Sequence, residues 1–312
     1  GQRTRGYDDT AIQRAIDDGA ILRTHALRPT WHFVAAADIA WIQALTGPRV
    51  HALNAYYNRR HGLDGELVGK TNKVLTGALR GGNHLTRKEL AEVLGKVGVD
   101  ATGNRLAYVV MRAELDGLIA NGVMRGKQHT YALVSERAPD AQTLPPDEAL
   151  AELTRRYFTS HGPATVKDFS WWSSLTVAQI KRGLDLVGSR LSSQEVDGHT
   201  YWYAPATAPK RDRPPTVHVL QGYDEYVVAY TESRSVTNLA GLPAGTPNEN
   251  QLIHPIVLDS QVVGFWRRGA ERGGITARPT LAVARSAQQR RAVDAAFARY
   301  AEFAGVPVTV EW

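Results

Sequence analysis

The chain has 312 residues, 43% of them hydrophobic and 22% charged, enough for two or three domains with cores of their own. Lys and Arg outnumber Asp and Glu by 37 to 31, a mild bias toward a polyanionic partner, and the absence of cysteine excludes disulfides, thiolate metal sites and a thiol nucleophile. No apolar run reaches membrane-spanning length and the opening GQRTRGYDDT carries no signal-peptide pattern, so a cytoplasmic protein without a membrane partner is expected.

In chain order, Thr10 and Gln13 form a capping box for a helix over AIQRAIDDG, and ILRTHALRPTWHFV follows as a hairpin. The next stretch, AAADIAWIQALTGPRVHALNAYYNRRHG, is helical by pattern and interleaves Arg49, His51, Arg59 and Arg60 with Asn54 and Tyr57. Such a mixture either tracks a phosphate backbone, Arg neutralising charge while Tyr and Asn donate hydrogen bonds, or decorates a solvated connecting helix. A helix from Leu63 to Leu79 leads into GGNHLTRKELAEVLG, boxed by Thr86 and Glu89. After it NRLAYVVMRAELDGLI sets Leu106, Val109, Val110 and Ala113 on one face and Arg105, Tyr108 and Arg112 on another. That second face is expected to be an exposed, partly basic DNA reader; the alternative is a covered face with Arg112 paired to an acid. The hairpin of GKQHTYALV closes the set.

The same order then returns: a helix from Leu150 to Ser160, a capping box of Thr165 and Asp168 in GPATVKDFSWW, a boxed amphipathic helix opened by Thr176 and Gln179, and a hairpin turning at Asp197-Gly198. His-Thr-Tyr stands in both returning strands, at 129–131 and 199–201. Tyr131 and Tyr201 are expected to pack inward, with His129 and His199 on the same face. Helix, capped helix, amphipathic helix and ribbon is the sequence form of a winged helix. The first hairpin fits the end of a third copy whose opening helices are expected upstream of Gly1, so the chain reads as an N-terminally shortened form of a longer protein.

APKRDRPP is a basic, Pro-rich linker, and from Thr216 the pattern turns β: VHVLQGYDEYVVAY, NQLIHPIVLDS, QVVGFWRRG and ITARPTLAV, with a hairpin break at Asp259-Ser260. A helix from Ser286 to Ala304 and a strand from Val306 to Trp312 end the chain. The expected fold is α+β: tandem winged-helix (helix-turn-helix) modules over 1–60, 61–140 and 141–210, then a β-rich C-terminal domain over 211–312, built as a small barrel or a strongly curved sheet.

Chemistry-bearing motifs are scarce: there is no HExxH, no GxxxxGK[ST] and no GxSxG. Asp224 and Glu225, adjacent in an expected strand, point to opposite faces, and Asp224 is either a general acid or base or a structural hydrogen-bonding group. Residues expected on DNA are Arg28, Trp31, Arg59, Arg60, Arg105, Arg112, Lys127, Gln128, Arg267 and Arg268. Trp31 and His32 read equally as groups of a cleft or as a core aromatic and its satisfied neighbour.

RTHALRPTWHFV (23–34), MRAELDGLI (111–119), YFTSHGPATVKDFSWWSSL (157–175), YDEYVVAY (223–230) and VLDSQVVGFWRR (257–268) together resemble the winged-helix DNA glycosylases typified by AlkZ and YcaQ. The resemblance implies excision of alkylated or crosslinked purines by hydrolysis of the N-glycosidic bond, without metal or cofactor; the expected partner is double-stranded DNA and the expected state a monomer. It also implies a catalytic Gln-x-Gln or Gln-x-Asp, which in the family falls upstream of the position matching Gly1. No such triplet occurs in the 312 residues. Catalytic residues are therefore unassigned, with His32 and Asp224 the candidates inside the chain, and a non-catalytic DNA-binding protein or regulator stays open as the alternative.

Overall fold

The computed structural model describes residues 2–205, 215–242, 254–271, 273–282 and 286–312. Most of APKRDRPP and the first four residues of NQLIHPIVLDS fall outside them. Contacts divide the chain into a mainly helical unit, Gln13–Gly162 with Trp172–Ser193, and a sheet unit, Gly1–Ile12 with Pro163–Trp171 and Gln194–Trp312.

The first helix, α1 (Asp9–Asp17), begins two residues earlier than the Thr10 box predicts, because the Asp8 carboxylate takes the Ala11 N–H at 2.7 Å. Strands β1 (Ile21–Ala26) and β2 (Arg28–Ala35) form an antiparallel hairpin with His25 opposite Trp31 and Arg23 opposite Phe33. Leu27 alone separates them, at φ 62°. A branched residue is rarely found there; this one is buried and its N–H is held by Thr46 Oγ1 at 3.2 Å. Helices α2 (Ile39–Leu53) and α3 (Ala55–Arg60) follow. At Gly47 an added Cβ would stand 2.8 Å from the Leu115 carbonyl oxygen, so α2 approaches that backbone as only glycine allows.

The next elements make one complete winged helix: α4 (Gly65–Leu79), β3 (Leu85–Thr86), α5 (Arg87–Lys96), α6 (Gly103–Leu115), β4 (Ile119–Asn121) and β5 (Thr130–Leu133), with the strands ordered β3-β5-β4. The Thr86–Glu89 box forms as the spacing predicts. Leu75, Leu79, Leu90, Leu94, Leu106, Val110, Ile119 and Tyr131 build its core, each aliphatic side chain contributing about 1.5–3 kcal/mol by leaving water. The short α7 (Val134–Arg137) sends Glu136 to the N–H groups of Gly81 and Gly82 at 2.8 and 2.7 Å, tying down the turn after α4.

The repeat continues with α8 (Pro146–Ser160), α9 (Val166–Ser173), α10 (Val177–Val187), β6 (Ser192–Val196) and β7 (His199–Tyr203). In the helical unit α8 and α10 meet at Gly183, where a Cβ would come within 2.2 Å of Thr154 Oγ1. In the sheet unit β6 and β7 pair through Asp197-Gly198, with φ of 49° and 74°, the left-handed pair of a type I′ turn. A bridge between Ala164 and Trp202 occupies the place that Leu85 and Tyr131 hold in the earlier copy.

Strands β8 (Val217–Val219), β9 (His254–Leu258), β10 (Gln261–Glu271), β11 (Gly274–Leu281) and β12 (Val308–Val310) lie in the order β12-β11-β10-β9-β8, antiparallel except for β11 with β12. Among the described residues the two edge strands do not pair, so the sheet is a curled half-barrel and not a closed one. The last strand is shorter than Val306 to Trp312. Helix α12 (Ala287–Ala304) lays Val293, Ala296 and Phe297 against Val217, Val219, Ile256 and Trp266. One expectation fails here: YDEYVVAY is no strand. Asp224 caps the helical turn α11 (Glu225–Val228) by accepting the Tyr226 N–H at 2.9 Å, so the two acids do not alternate across a sheet.

Candidate nucleic-acid interface

Alternation along the first hairpin sorts its side chains. Leu22, Thr24 and Val34 go inward, while Arg23, Trp31 and Phe33 stand on the other face, Trp31 45% and Phe33 64% exposed. The Arg23 guanidinium lies 4.0 Å over the indole of Trp31, a cation–π stack. On the same face the His25 ring sits 4.8 Å from that indole and is itself buried. Its Nδ1 bonds the Glu114 carboxylate of α6, which is fully buried. Gln43 of α2 donates to the Glu114 carbonyl at 2.5 Å and to Thr24 Oγ1 at 3.0 Å. Polar bonds from two helices thus fix the strand that carries Arg23 and the ring beside Trp31.

Arg23 and Trp31 open onto a pocket of about 270 Å³, completed by Thr86 and Arg87 at the start of α5 and by Gln128, His129 and Tyr131 of the wing. Its chemistry is aromatic and cationic, with no carboxylate in the lining. Burial, above all, lowers the pKa of Arg23, and burial pushes the Tyr131 hydroxyl up to about 12. Burial and then the Arg23 charge hold His129 below the usual imidazole value. The wing is clamped to α5 by Arg125, which reaches Glu89 at 2.7 Å and the His84 carbonyl at 2.6 Å, and by the Val123 N–H on His84 Nδ1 at 2.9 Å. The Thr86 N–H first, then Arg125, hold Glu89 down to about 2. Lys127 and Gln128 stand exposed at the wing's tip.

A second cluster covers the outer face of α6. Tyr108 is stacked between Tyr57 at 5.4 Å and His61 at 4.9 Å, with Arg59 and Arg60 exposed on α3. Arg105 is half-buried, and Arg112 turns to Asp116 at 3.1 Å, which also accepts His51 at 2.8 Å. The expected reader face is thus partly capped by aromatic rings, and Arg112 is partly exposed and paired to Asp116 four residues on, at the end of its own helix, not to an acid elsewhere in the fold.

The remaining predicted residues are placed as follows. His32 donates Nδ1–H to the Thr30 carbonyl at 3.1 Å and meets Arg28 through Nε2 at 3.4 Å, so it steadies Arg28. In the sheet unit Arg3 grips both oxygens of Asp224 at 3.0 and 2.6 Å, while Arg267 and Arg268 are exposed on β10. Only Trp31 and Gln128 of the predicted residues share the pocket. Sequence reasoning missed Arg23, Phe33, Arg87 and the His25–Glu114 pair. Period-two alternation signalled Arg23 and Phe33; nothing local signalled the others.

A family model described as DNA glycosylase AlkZ-like matches residues 1–303. Among solved structures the chain is similar to the Streptomyces sahachiroi DNA glycosylase AlkZ, at 24% identity and a TM-score of 0.78, covering 97% of this chain and 85% of that one. At that identity the likeness shows a common fold, here tandem winged helices followed by a β domain. No curated protein matches.

Proposed function

The chain belongs to the AlkZ-like family of DNA glycosylases, and from that membership we propose that it binds double-stranded DNA as a cytoplasmic monomer in the excision of alkylated or crosslinked purines. The family match over residues 1–303 carries the reading. Excision requires a bound purine with a labile glycosidic bond, water at the C1′ side of the sugar, and stabilisation of an oxocarbenium-like transition state. Binding is assigned to phosphate contacts from Arg28, Arg59, Arg60, Lys127, Arg267 and Arg268, which are spread over several elements and carry no sequence information.

The bond-breaking step is assigned elsewhere. Neither candidate inside the chain is a disengaged base: His32 spans Thr30 and Arg28, and Asp224 is held by Arg3 and the Tyr226 N–H. The 312 residues contain no Gln-x-Gln or Gln-x-Asp. Hydrolysis is therefore expected of a protein that carries that pair, and its absence here also favours the second reading, a non-catalytic DNA-binding protein. The test incubates this chain and the complete product of its reading frame with a duplex containing N7-methylguanine, followed by alkaline cleavage at abasic sites. A product that carries the glutamine pair should cleave, and this chain, which lacks it, should be slower by about two to three powers of ten or more. Abundant cleavage by this chain would move catalysis to His32 or Asp224. Base release by neither, alongside salt-sensitive binding, would establish the non-catalytic reading.

A further inference from the structure

We propose that the β1–β2 hairpin is a stacking platform for an unpaired nucleotide, with the base on Phe33 and its phosphate at Arg23 and Arg87. The proposal deepens the DNA-binding reading, on which it rests, by naming what the site takes: a base already out of the duplex stack.

A Phe at 64% exposure on a strand two residues from a Trp at 45% is unusual for an apolar pair that a protein could have packed inward. The indole already carries the Arg23 guanidinium on its ring. Among the described residues no ring or guanidinium stacks on Phe33, so its face is open to a planar group. Phe33 stands directly opposite Arg23 in the hairpin register. Opposed residues have Cβ atoms about 5 Å apart, so a base on Phe33 carries its phosphate within reach of a guanidinium.

Charge selects the occupant. Arg23 is half-buried and Arg87 makes its hydrogen bond to the Gly103 carbonyl at 3.2 Å; neither has a carboxylate partner among the described residues. The buried Glu114 favours the Arg23 charge only at a distance, its carboxylate being bonded to His25, so a cation that burial disfavours and no acid contacts is stabilised by an incoming anion. The pocket wall adds Gln128, Thr86 and His129, polar groups suited to base edges, and contributes no carboxylate. Aromatic faces beside unpaired cations are how proteins hold single-stranded nucleic acid, because every base offers a π-face whatever its identity. A fully paired duplex cannot present a base to Phe33, so the platform discriminates by pairing state.

The test compares this chain's affinity for a perfect duplex with that for the same duplex carrying one bulged adenosine, by fluorescence anisotropy at fixed moderate salt. The native chain should prefer the bulged duplex. Phe33→Ala should lower affinity for the bulge by about five- to a hundredfold, the range for loss of one base–aromatic stack. It should leave perfect-duplex affinity within about twofold, and Phe33→Tyr should restore the preference. Because Phe33 is exposed, its removal leaves the fold intact, which an unchanged melting temperature checks. Equal affinity of the native chain for both duplexes, or an equal loss for both on Phe33→Ala, overturns the platform. Failure of the glycosylase reading looks different: no base release from alkylated DNA, with the bulge preference intact.

Discussion

The two His-Thr-Tyr copies begin with the same letters and end in different surroundings. In the first, Thr130 and Tyr131 are buried and Tyr131 joins the winged-helix core; in the second, Thr200 is exposed and Tyr201 half-exposed. Sheet position accounts for the difference: β5 is the central strand of three and is buried on both faces, whereas β7 pairs with β6 alone apart from one bridge, and the register differs as well. The residue just before the capping-box threonine pairs with Tyr131 in the first copy, Leu85, and with Trp202 in the second, Ala164. The tripeptide has slipped by one position against its module, and a slip of one turns every side chain of a strand to the other face. A repeated motif therefore locates an element without fixing its orientation.

The capping boxes diverge in the same way. Glu89 faces solvent and serves Thr86 and the wing's Arg125. Asp168, one methylene shorter, is fully buried: beyond Thr165 it accepts the N–H groups of Thr231, Glu232 and Ser233 at 2.8, 2.8 and 3.2 Å and the Ser233 hydroxyl at 2.5 Å. A box thus becomes a tie between distant parts of the sheet unit.

Substitutions that separate the copies should rank accordingly. Tyr131→Ala should cost about 3–5 kcal/mol in urea denaturation, as buried aromatic truncations do, and Tyr201→Ala less than about 1 kcal/mol. Equal losses would show that the two tyrosines are equivalent and that burial on the central strand does not set them apart. Asp168→Ala strands several buried donors and should cost about 3 kcal/mol, whereas Thr86→Ala, which removes an N-cap, should cost about 1 kcal/mol. The acid limb sharpens the contrast. Burial raises the Asp168 pKa, but the bonds from Ser233, Thr165 and Thr231 outweigh it and the net direction is down. A folded value below the unfolded one gives stability that is present above about pH 4 and lost as pH falls through the folded value. Asp168→Asn should therefore flatten the stability profile of the sheet unit below about pH 4, read by circular dichroism; an unchanged acid limb would mean that this carboxylate is not the tie.

What was legible in the sequence was local. The boxes at Thr86, Thr165 and Thr176 and the type I′ turn at Asp197-Gly198 depend on residues three or fewer positions apart, and all formed. YDEYVVAY misled because its Tyr and Val residues favour strands, while Asp224 N-caps a short helical turn through the Tyr226 N–H and is itself held by Arg3, 221 positions away. The pocket was hidden for the same reason: His25 and Glu114, which fix the ring beside Trp31, are 89 positions apart. Composition announced a cationic surface without saying which arginines lack acids.

The central claim, that these separated cations bind a DNA backbone, is tested most directly by the salt dependence of this chain's affinity for a perfect duplex. With about six phosphates engaged, log affinity should fall against log salt with a slope near −5, a loss of about a thousandfold between roughly 50 and 200 mM. A flat dependence, or no binding at the lower salt, would contradict it.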